Sequence, residues 1–404
     1  MTTAEDSTDS AREIVEIGWV IVGRMGEPDL QAALRTRDQL SAYLQRVFPE
    51  FDWRLTLVTN EEFIPELQGR TIRLLDYAGM ERDVRPWDFS VVVTDVPLVG
   101  HYRPTPWAAF STTLGAVVIS TARLRAGTSP SGGSSEENLN LTSKRMEALA
   151  MHCIGHLTGL KHEDRPENGM SYYQSVEELD QSQGLTSEQL DSMRSSLREI
   201  ADQRLEEQTQ YQQMSSLRFY LRSAWINRRE LLRAVIKAEP WLLPVRLSRV
   251  AFAAVSALLV LLMTAEAWEL GMSLSGQTAF FLSVFCLFVT TSYIIVQQRL
   301  LVSRGAHEPR EQRVVALISV PVIVLMGIFT TFVVLIIASL AAELMLFERS
   351  VVENWAASVT EIGLAQYLSL ATFVGSVALL IGALGASLED QQYLRHVVLV
   401  DEEI

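Results

Sequence analysis

The feature that most constrains this chain is a set of four long apolar runs in its second half. They cover about residues 250–270, 278–297, 314–342 and 362–386. A helix needs roughly 20 apolar residues to cross the hydrocarbon core of a bilayer, and each run approaches or exceeds that length. The sequence therefore predicts an all-α domain of four transmembrane helices within residues 248–388.

Basic residues are unevenly distributed around these runs. Many precede the first run and four arginines lie between the second and third, whereas the other two loops hold only Arg349. Lys and Arg are concentrated on the cytoplasmic side of membrane proteins. The pattern predicts an integral membrane protein with four spans and with both the N- and the C-terminus in the cytoplasm. The acidic opening residues, unlike a secretory signal, agree with this orientation.

The charge argues against a nucleic-acid partner, and the cysteine content excludes a disulfide framework. The net charge is -14, whereas binding to nucleic-acid phosphates requires basic surface, so no nucleic-acid partner is expected. The two cysteines are Cys153 and Cys286, and Cys286 lies inside an apolar run. A disulfide framework is therefore excluded, and a reducing compartment is expected.

The first half of the chain has the pattern of a flexible tail over residues 1–12 and a mixed α/β domain over residues 13–184. Strands are predicted in "GWVIVGRM", "DWRLTLVT", "DFSVVVTDVPLV" and "AAFSTTLGAVVISTARL", and a helix in "DLQAALRTRDQLSAYLQRVFP". The Gly/Ser-rich "AGTSPSGGSSEENLN" is predicted to be a loop. A second helix then follows, with Thr142 or Ser143 as its N-cap and Gly159 at its end.

Residues 185–247 are predicted to form an amphipathic helical connector. In "GLTSEQL", Thr186 and Gln189 fit a capping box. The aromatic and basic segment "FYLRSAWINRRELLRAVIKAEPW" suits an anionic membrane surface, so the lipid bilayer is an expected partner. The alternative interpretation of this connector is a short coiled coil, which would make the protein a homo-oligomer. Residues 389–404 are predicted to be a cytoplasmic tail.

The segment "MHCIGHLTGLKHEDRPENGMSY", residues 151–172, contains three of the chain's six histidines. His152 and His156 are four residues apart, so on a helix they face the same side. Gly159 permits a sharp turn after which His162 can supply a third nitrogen. Three imidazole ligands with an open fourth position are typical of catalytic zinc. The spacing predicts one Zn²⁺ site.

The same segment resembles the metzincin signature: histidine, glutamate, two residues, histidine, two residues, glycine, two residues, histidine. It is most similar to the archaemetzincins, on "HCIGHLTGLKH", the eight-residue step from His162 to Met170, "MSYYQSVEELD" and the upstream "GAVVISTARL". The resemblance covers roughly residues 15–195. It implies a metzincin-like domain that cleaves a peptide or protein substrate. It also implies that Met170 forms a hydrophobic floor beneath the metal and that Tyr172 stabilises an oxyanion.

Two departures from the family pattern bear on activity. Cys153 stands where the family has the glutamate that takes a proton from zinc-bound water. Its thiol is open to three interpretations: a small buried residue without chemistry, a redox-sensitive switch, or an unusual acid/base group or fourth ligand. The family also holds a second, structural zinc with cysteines, whereas this chain has Glu163 and Asn168 there. A second zinc is therefore not expected.

Three functions follow from these patterns as hypotheses. The first is a membrane-anchored zinc metallopeptidase facing the cytoplasm, with activity reduced by Cys153 at the general-base position. The second is a catalytically inactive pseudo-protease that binds zinc or peptide and signals to, or scaffolds, its membrane bundle. The third is a small channel or transporter with a regulatory domain.

Overall fold

The structure is a computed structural model that divides the chain into two compact units. It describes residues 12–63, 69–85, 87–101, 103–125, 135–201, 228–298, 311–357, 362–385 and 398–404, with the isolated positions 225, 300, 359, 395 and 396. The first unit comprises Met1–Ser223, Arg304–Val314 and Val400–Ile404, and the second comprises Ala224–Ser303 and Val315–Leu399. Most of the predicted tail at 1–12, much of the Gly/Ser-rich loop and much of the connector lie outside the described residues.

A six-stranded sheet organises the first unit, which confirms the predicted mixed α/β class. Its strands are β1 (Glu13–Val22), β2 (Phe51–Asn60), β4 (Phe89–Thr94), β6 (Ala108–Ser111), β7 (Ala116–Ser120) and β8 (Glu402–Glu403), and a separate pair is formed by β3 (Gly69–Arg70) and β5 (Leu98–Val99). The spatial order is β2-β1-β4-β7-β6-β8. The first four of these are parallel, whereas β6 runs antiparallel to both β7 and β8.

Helices cover both faces of this sheet, which explains why its central strands are apolar throughout. They are α1 (Glu27–Val47), α2 (Thr71–Val84), α3 (Ser135–Leu157), α4 (Val176–Gln181) and α5 (Ser187–Ala201). Val91 and Val93 of β4 share one core cluster with α1 and α3. Val92 points to the opposite face, is equally buried, and lies on the side where α2 contacts β4. Burial on both faces is the usual condition of parallel strands.

The helix α3 begins earlier than expected. It starts at Ser135, so the prediction of an N-cap at Thr142 or Ser143 is wrong. Both residues are buried inside the helix, and the Thr142 hydroxyl donates to the carbonyl of Asn138 at 2.9 Å. A hydroxyl that bonds back to the preceding turn no longer signals a helix start. By contrast, the capping box at the start of α5 is confirmed: Thr186 N donates to Gln189 Oε1 and Gln189 N donates to Thr186 Oγ1.

The second unit is helical. Its helices are α6 (Arg228–Lys237), α7 (Leu243–Arg246), α8 (Ser248–Leu262), α9 (Ala265–Ser273), α10 (Gly276–Gln297), α11 (Glu311–Leu346), α12 (Arg349–Trp355) and α13 (Leu364–Gly385), with a 3-10 turn at Pro240–Leu242. Within the described residues, three helices are long and apolar enough to cross a membrane: α10, Leu317–Leu346 of α11, and α13. A fourth span arises if Pro240–Arg246 and Ser248–Leu262, which meet at a bend of 75°, are taken as one.

The first predicted span, about 250–270, is not one continuous helix. α8 ends at Leu262 and α9 begins at Ala265, because Thr264 between them adopts an extended conformation. The Trp268 indole N–H donates to the carbonyl of Leu262 at 2.9 Å, so the carbonyl at the end of α8 keeps a partner.

The small residues of the fourth apolar run permit close helix packing. A Cβ at Gly382 would lie 2.7 Å from Cβ of Ala254, so a larger residue than glycine would not fit there.

Replacing Gly18 with Ala should destabilise the first unit by about 1–3 kcal/mol, because the new methyl overpacks the core. A Cβ at Gly18 would lie 2.0 Å from the buried Trp87 ring. Gly26→Ala is the matched control, since its nearest neighbour is at 3.6 Å and its φ of -61° suits any residue. Hydrogen exchange of the β1 amides, recorded as urea is added to the full chain in detergent, measures the difference in stability between the two variants. Equal exchange in the two variants would contradict this packing.

Candidate metal centre

The last turns of α3 and the chain that follows bring three histidines together. His152 and His156 lie on one side of the helix, 1% and 4% exposed, with their Nε2 atoms 3.0 Å apart. Gly159 has a φ of +94°, the left-handed conformation that the sequence predicted for the helix end. The chain therefore turns back, and Nε2 of His162 lies 3.1 Å from Nε2 of His156. The predicted three-histidine cluster is formed.

Backbone carbonyls determine which nitrogen of each buried ring faces the cluster. Nδ1 of His152 lies 2.9 Å from the carbonyl oxygen of Gly169, and Nδ1 of His156 lies 2.9 Å from that of Leu160. A carbonyl only accepts, so each Nδ1 carries the proton and donates. In the neutral rings both Nε2 atoms then present lone pairs toward each other. This is the tautomer that a metal-ligating histidine requires.

The donor set fits zinc. Bond lengths of roughly 2.0–2.1 Å in a tetrahedron place ligand nitrogens about 3.3 Å apart, and the observed separations are 3.0 and 3.1 Å. The candidate ligand atoms of all three histidines lie within 4.8 Å of one another. Without a cation, converging lone pairs in a buried site repel each other. The cluster can therefore hold a zinc ion through three nitrogens.

The turn that contains Met170 packs against α3 at Gly155. Met170 is fully buried, and its sulfur would lie 2.6 Å from a Cβ added to Gly155, between the two helical histidines. Asn168 Oδ1 accepts the amide hydrogen of Met170 at 2.8 Å, and Glu163 N donates to the carbonyl of Met170 at 3.0 Å. These bonds fix the conformation of the turn, which carries the Gly169 carbonyl that accepts from His152.

Gly155 of α3 and Asn168 of the turn have supporting roles that the sequence reasoning missed. Gly155 leaves room for Met170, and the glycine in "HCIGH" was a signal of close approach that was not used. Asn168 also exchanges hydrogen bonds with the Gln189 side chain at 3.1 and 3.2 Å. The capping box of α5 is therefore tied to the Met170 turn, a connection that no local pattern reveals.

Two consecutive tyrosines flank the cluster in different ways. Tyr172 stacks on His162, with ring centroids 3.7 Å apart, and is 53% exposed. Tyr173 is buried, its hydroxyl donates to the Gly169 carbonyl at 3.1 Å, and burial raises the pKa of Tyr173. Tyr172 is thus the more exposed of the two tyrosines, whereas Tyr173 supports the turn.

Cys153 lies in the hydrophobic core of the first unit. Its side chain is 0% exposed and forms no disulfide. It shares a core cluster with Ile154, Leu157 and Met170. This burial favours the interpretation of Cys153 as a small packed residue over that of a solvent-accessible redox switch, because oxidation follows exposure and thiolate character.

A carboxylate reaches the cluster from a distant part of the chain. Glu402 of β8 places Oε1 3.3 Å from Nε2 of His162. The sequence reasoning missed this residue, because a two-residue strand carries no periodic pattern and its pairing is decided by tertiary structure. The predicted tail at 389–404 therefore includes a segment, Val400–Ile404, that belongs to the first unit.

Comparison with known proteins yields distant structural similarity. No family model and no curated protein matches the chain. The solved structures that resemble it include archaemetzincin from Methanopyrus kandleri, at 17% identity, 46% of this chain, 97% of that chain and a TM-score of 0.37. Archaemetzincin from Archaeoglobus fulgidus complexed with malonate is 18% identical, with 44% of this chain and 99% of that chain covered and a TM-score of 0.32. A zinc-dependent peptidase from Methanocorpusculum labreanum is 16% identical, with 44% of this chain and 99% of that chain covered and a TM-score of 0.35. The metal centre therefore rests on its own geometry.

Changing any one of His152, His156 or His162 to Ala should abolish stoichiometric zinc binding, because two nitrogens hold the ion far less tightly than three. Metal analysis of the full chain after dialysis measures it, with about one zinc per chain expected in the unchanged protein. His396→Gln, a histidine in the second unit, is the control. Full zinc content in all three alanine variants would contradict the proposed ligands.

Asn168→Ala should lower the zinc affinity about tenfold, because groups that orient metal ligands typically contribute 10–100-fold. The change removes the acceptor for the Met170 amide and frees the turn that carries the Gly169 carbonyl. Competition with a zinc-sensitive dye measures the affinity, and Asn138→Ala, on an exposed turn of α3, serves as the control. Identical affinities would show that the turn does not position His152.

Proposed function

We propose that this chain is a membrane-anchored zinc metallopeptidase-like protein whose metal domain faces the cytoplasm and acts on peptides. The observation that carries the proposal is the convergence of three histidine Nε2 atoms in a buried site that fits zinc. Three or four apolar helices among the described residues support the anchor. The distribution of Lys and Arg supports the cytoplasmic orientation, and the lipid bilayer is then a structural partner.

The residues around the cluster fit the early steps of peptide hydrolysis. Bound at the three histidines, zinc would supply Lewis-acid chemistry for a peptide carbonyl and for water. His152 and His156 are held rigid by their carbonyl partners, so the ligand geometry is set before a substrate arrives. We assign to Tyr172, which stacks on His162 and is half exposed, the hydrogen bond to a developing oxyanion.

The general base is the weak part of this machinery. A positioned base contributes typically about 10²–10⁴-fold, which corresponds to about 3–5 kcal/mol of transition-state stabilisation. Cys153 occupies that position with a short side chain that is wholly buried. The proposal therefore assigns this protein a hydrolytic rate well below that of a metallopeptidase with glutamate at this position.

The burial of Cys153 also favours a second candidate function. In this alternative the domain is a pseudo-protease that retains the zinc site but has lost hydrolysis. It binds zinc or peptide and signals to, or scaffolds, its membrane bundle. The two functions share the metal centre and differ only in the proton-transfer step, so a single substitution separates them.

Cys153→Glu should raise zinc-dependent cleavage of a mixed peptide library about 10²–10⁴-fold over the unchanged chain, because it restores a carboxylate at the general-base position. The measurement is cleavage per bound zinc, with Cys153→Ser as the size-matched control and zinc content as the check on folding. A gain from a silent starting protein supports the pseudo-protease. Zinc-dependent cleavage that is present in the unchanged chain and lost in Cys153→Ala would instead make the thiol catalytic.

A further inference from the structure

The segment Asp401–Ile404, here called the tail segment, lies along the edge of the sheet beside the metal centre. It pairs antiparallel with β6, with Ala109 opposite Glu403 and Phe110 opposite Glu402. Asp401 N donates to the carbonyl of Phe110 at 3.1 Å, and Ile404 N donates to that of Ala108 at 2.8 Å. An extended peptide that adds a strand to a sheet edge is a common mode of peptide recognition.

A pocket in the loop before β6 is built around the carboxylate of Glu403. The amide hydrogens of His101 and Arg103 are donated to its two oxygens at 2.8 and 2.7 Å. A Cβ at Gly100 would lie 2.2 Å from Oε2 of Glu403, so only glycine leaves room for this side chain. Glu403 is 2% exposed. Backbone amides that converge on a buried carboxylate form a specific anion site.

Neighbouring residues of a strand point to opposite faces, so Glu402 projects away from this pocket. Its Oε1 lies 3.3 Å from Nε2 of His162. The ring of Phe110, its partner across the pair, stacks on His156 with centroids 4.7 Å apart. Ile404 is buried in the hydrophobic core at the end of the tail segment. One carboxylate thus faces the histidines, the next fills the amide pocket, and an apolar side chain follows.

We propose that the edge of β6 is a binding site for an extended acidic peptide of the type Glu-Glu-apolar, and that the tail segment is its intramolecular occupant. A peptide that approaches the metal centre along β6 must first displace the tail segment. This inference rests on the proposed function in one respect only, which is that Glu402 would face a bound zinc. The strand pairing and the Glu403 pocket stand without a metal.

The size of the interaction is consistent with exchange. The pairing of β8 with β6 involves two residue pairs, whereas β1 and β2 pair over their whole length. Four backbone hydrogen bonds join the tail segment to residues 107–110, and the tether to the same chain raises its effective concentration at the site. A free peptide of the same sequence at sufficient concentration therefore competes with it.

The test is binding of a labelled peptide with the sequence VLVDEEI, residues 398–404, to the full chain in detergent. Glu403→Gln in the chain weakens the resident tail segment, because a neutral amide replaces the carboxylate in the amide pocket. The labelled peptide should bind this variant about tenfold more tightly than the unchanged chain. Glu177→Gln, the same change of charge on an exposed turn of α4, should have no effect. Equal binding to all three chains would overturn the proposal.

Two further measurements keep the outcome decisive if the variant folds poorly. In the unchanged chain, excess peptide should accelerate hydrogen exchange of the tail segment, because displaced amides lose their partners on β6. Unaltered exchange would identify the tail segment as a permanent strand and overturn the proposal. Gly100→Ala, which closes the pocket, should abolish tight peptide binding, and retention of that binding would contradict the assigned pocket.

Failure of the metal centre and failure of this inference give different results. The peptide experiments are run on zinc-loaded and zinc-stripped chains. Loss of zinc binding with peptide exchange retained would refute the proposed function alone. Zinc bound at one per chain, with no peptide exchange in either form, would refute the inference alone.

Discussion

Two hydrogen bonds govern the chemistry of this structure: those from Nδ1 of His152 and His156 to the carbonyls of Gly169 and Leu160. They place the protons on the outer nitrogens and leave the inner Nε2 atoms as lone pairs that converge at 3.0 Å in a buried site. Such an arrangement is unfavourable without a cation and favourable with one. The end of α3, the turn at Gly159 and the turn that contains Met170 bring these carbonyls to the two rings.

The parts of the site that follow local rules could be predicted from the sequence. Helical spacing places His152 and His156 on one side, and Gly159 adopts the left-handed conformation that its position indicated. The capping box at Thr186 forms for the same reason. The start of α3 was predicted wrongly, because the Thr142 hydroxyl bonds back to the preceding turn instead of capping the helix. The break near Thr264 was not predicted, because a single extended residue within an apolar run leaves no pattern in the sequence.

The features that define the site's chemistry depend on contacts between distant segments. The fit of Met170 against Gly155, and the bonds between Asn168 and Gln189, arise only when α3, the turn and α5 pack together. Glu402 is the clearest case, since a carboxylate from the last residues of the sequence lies beside His162 while the helix position after His152 holds a buried thiol. The carboxylate beside the histidines therefore belongs to β8, which lies at the edge of the sheet.

X-ray absorption at the zinc edge of the zinc-loaded full chain tests whether three histidines hold the metal. Three nitrogen ligands at about 2.0–2.1 Å and one oxygen at about 2.0–2.2 Å are expected, with the imidazole scattering typical of histidine. A sulfur ligand at about 2.3 Å would place Cys153 on the metal and contradict its burial in the core. Absence of imidazole scattering would contradict the three-histidine centre itself.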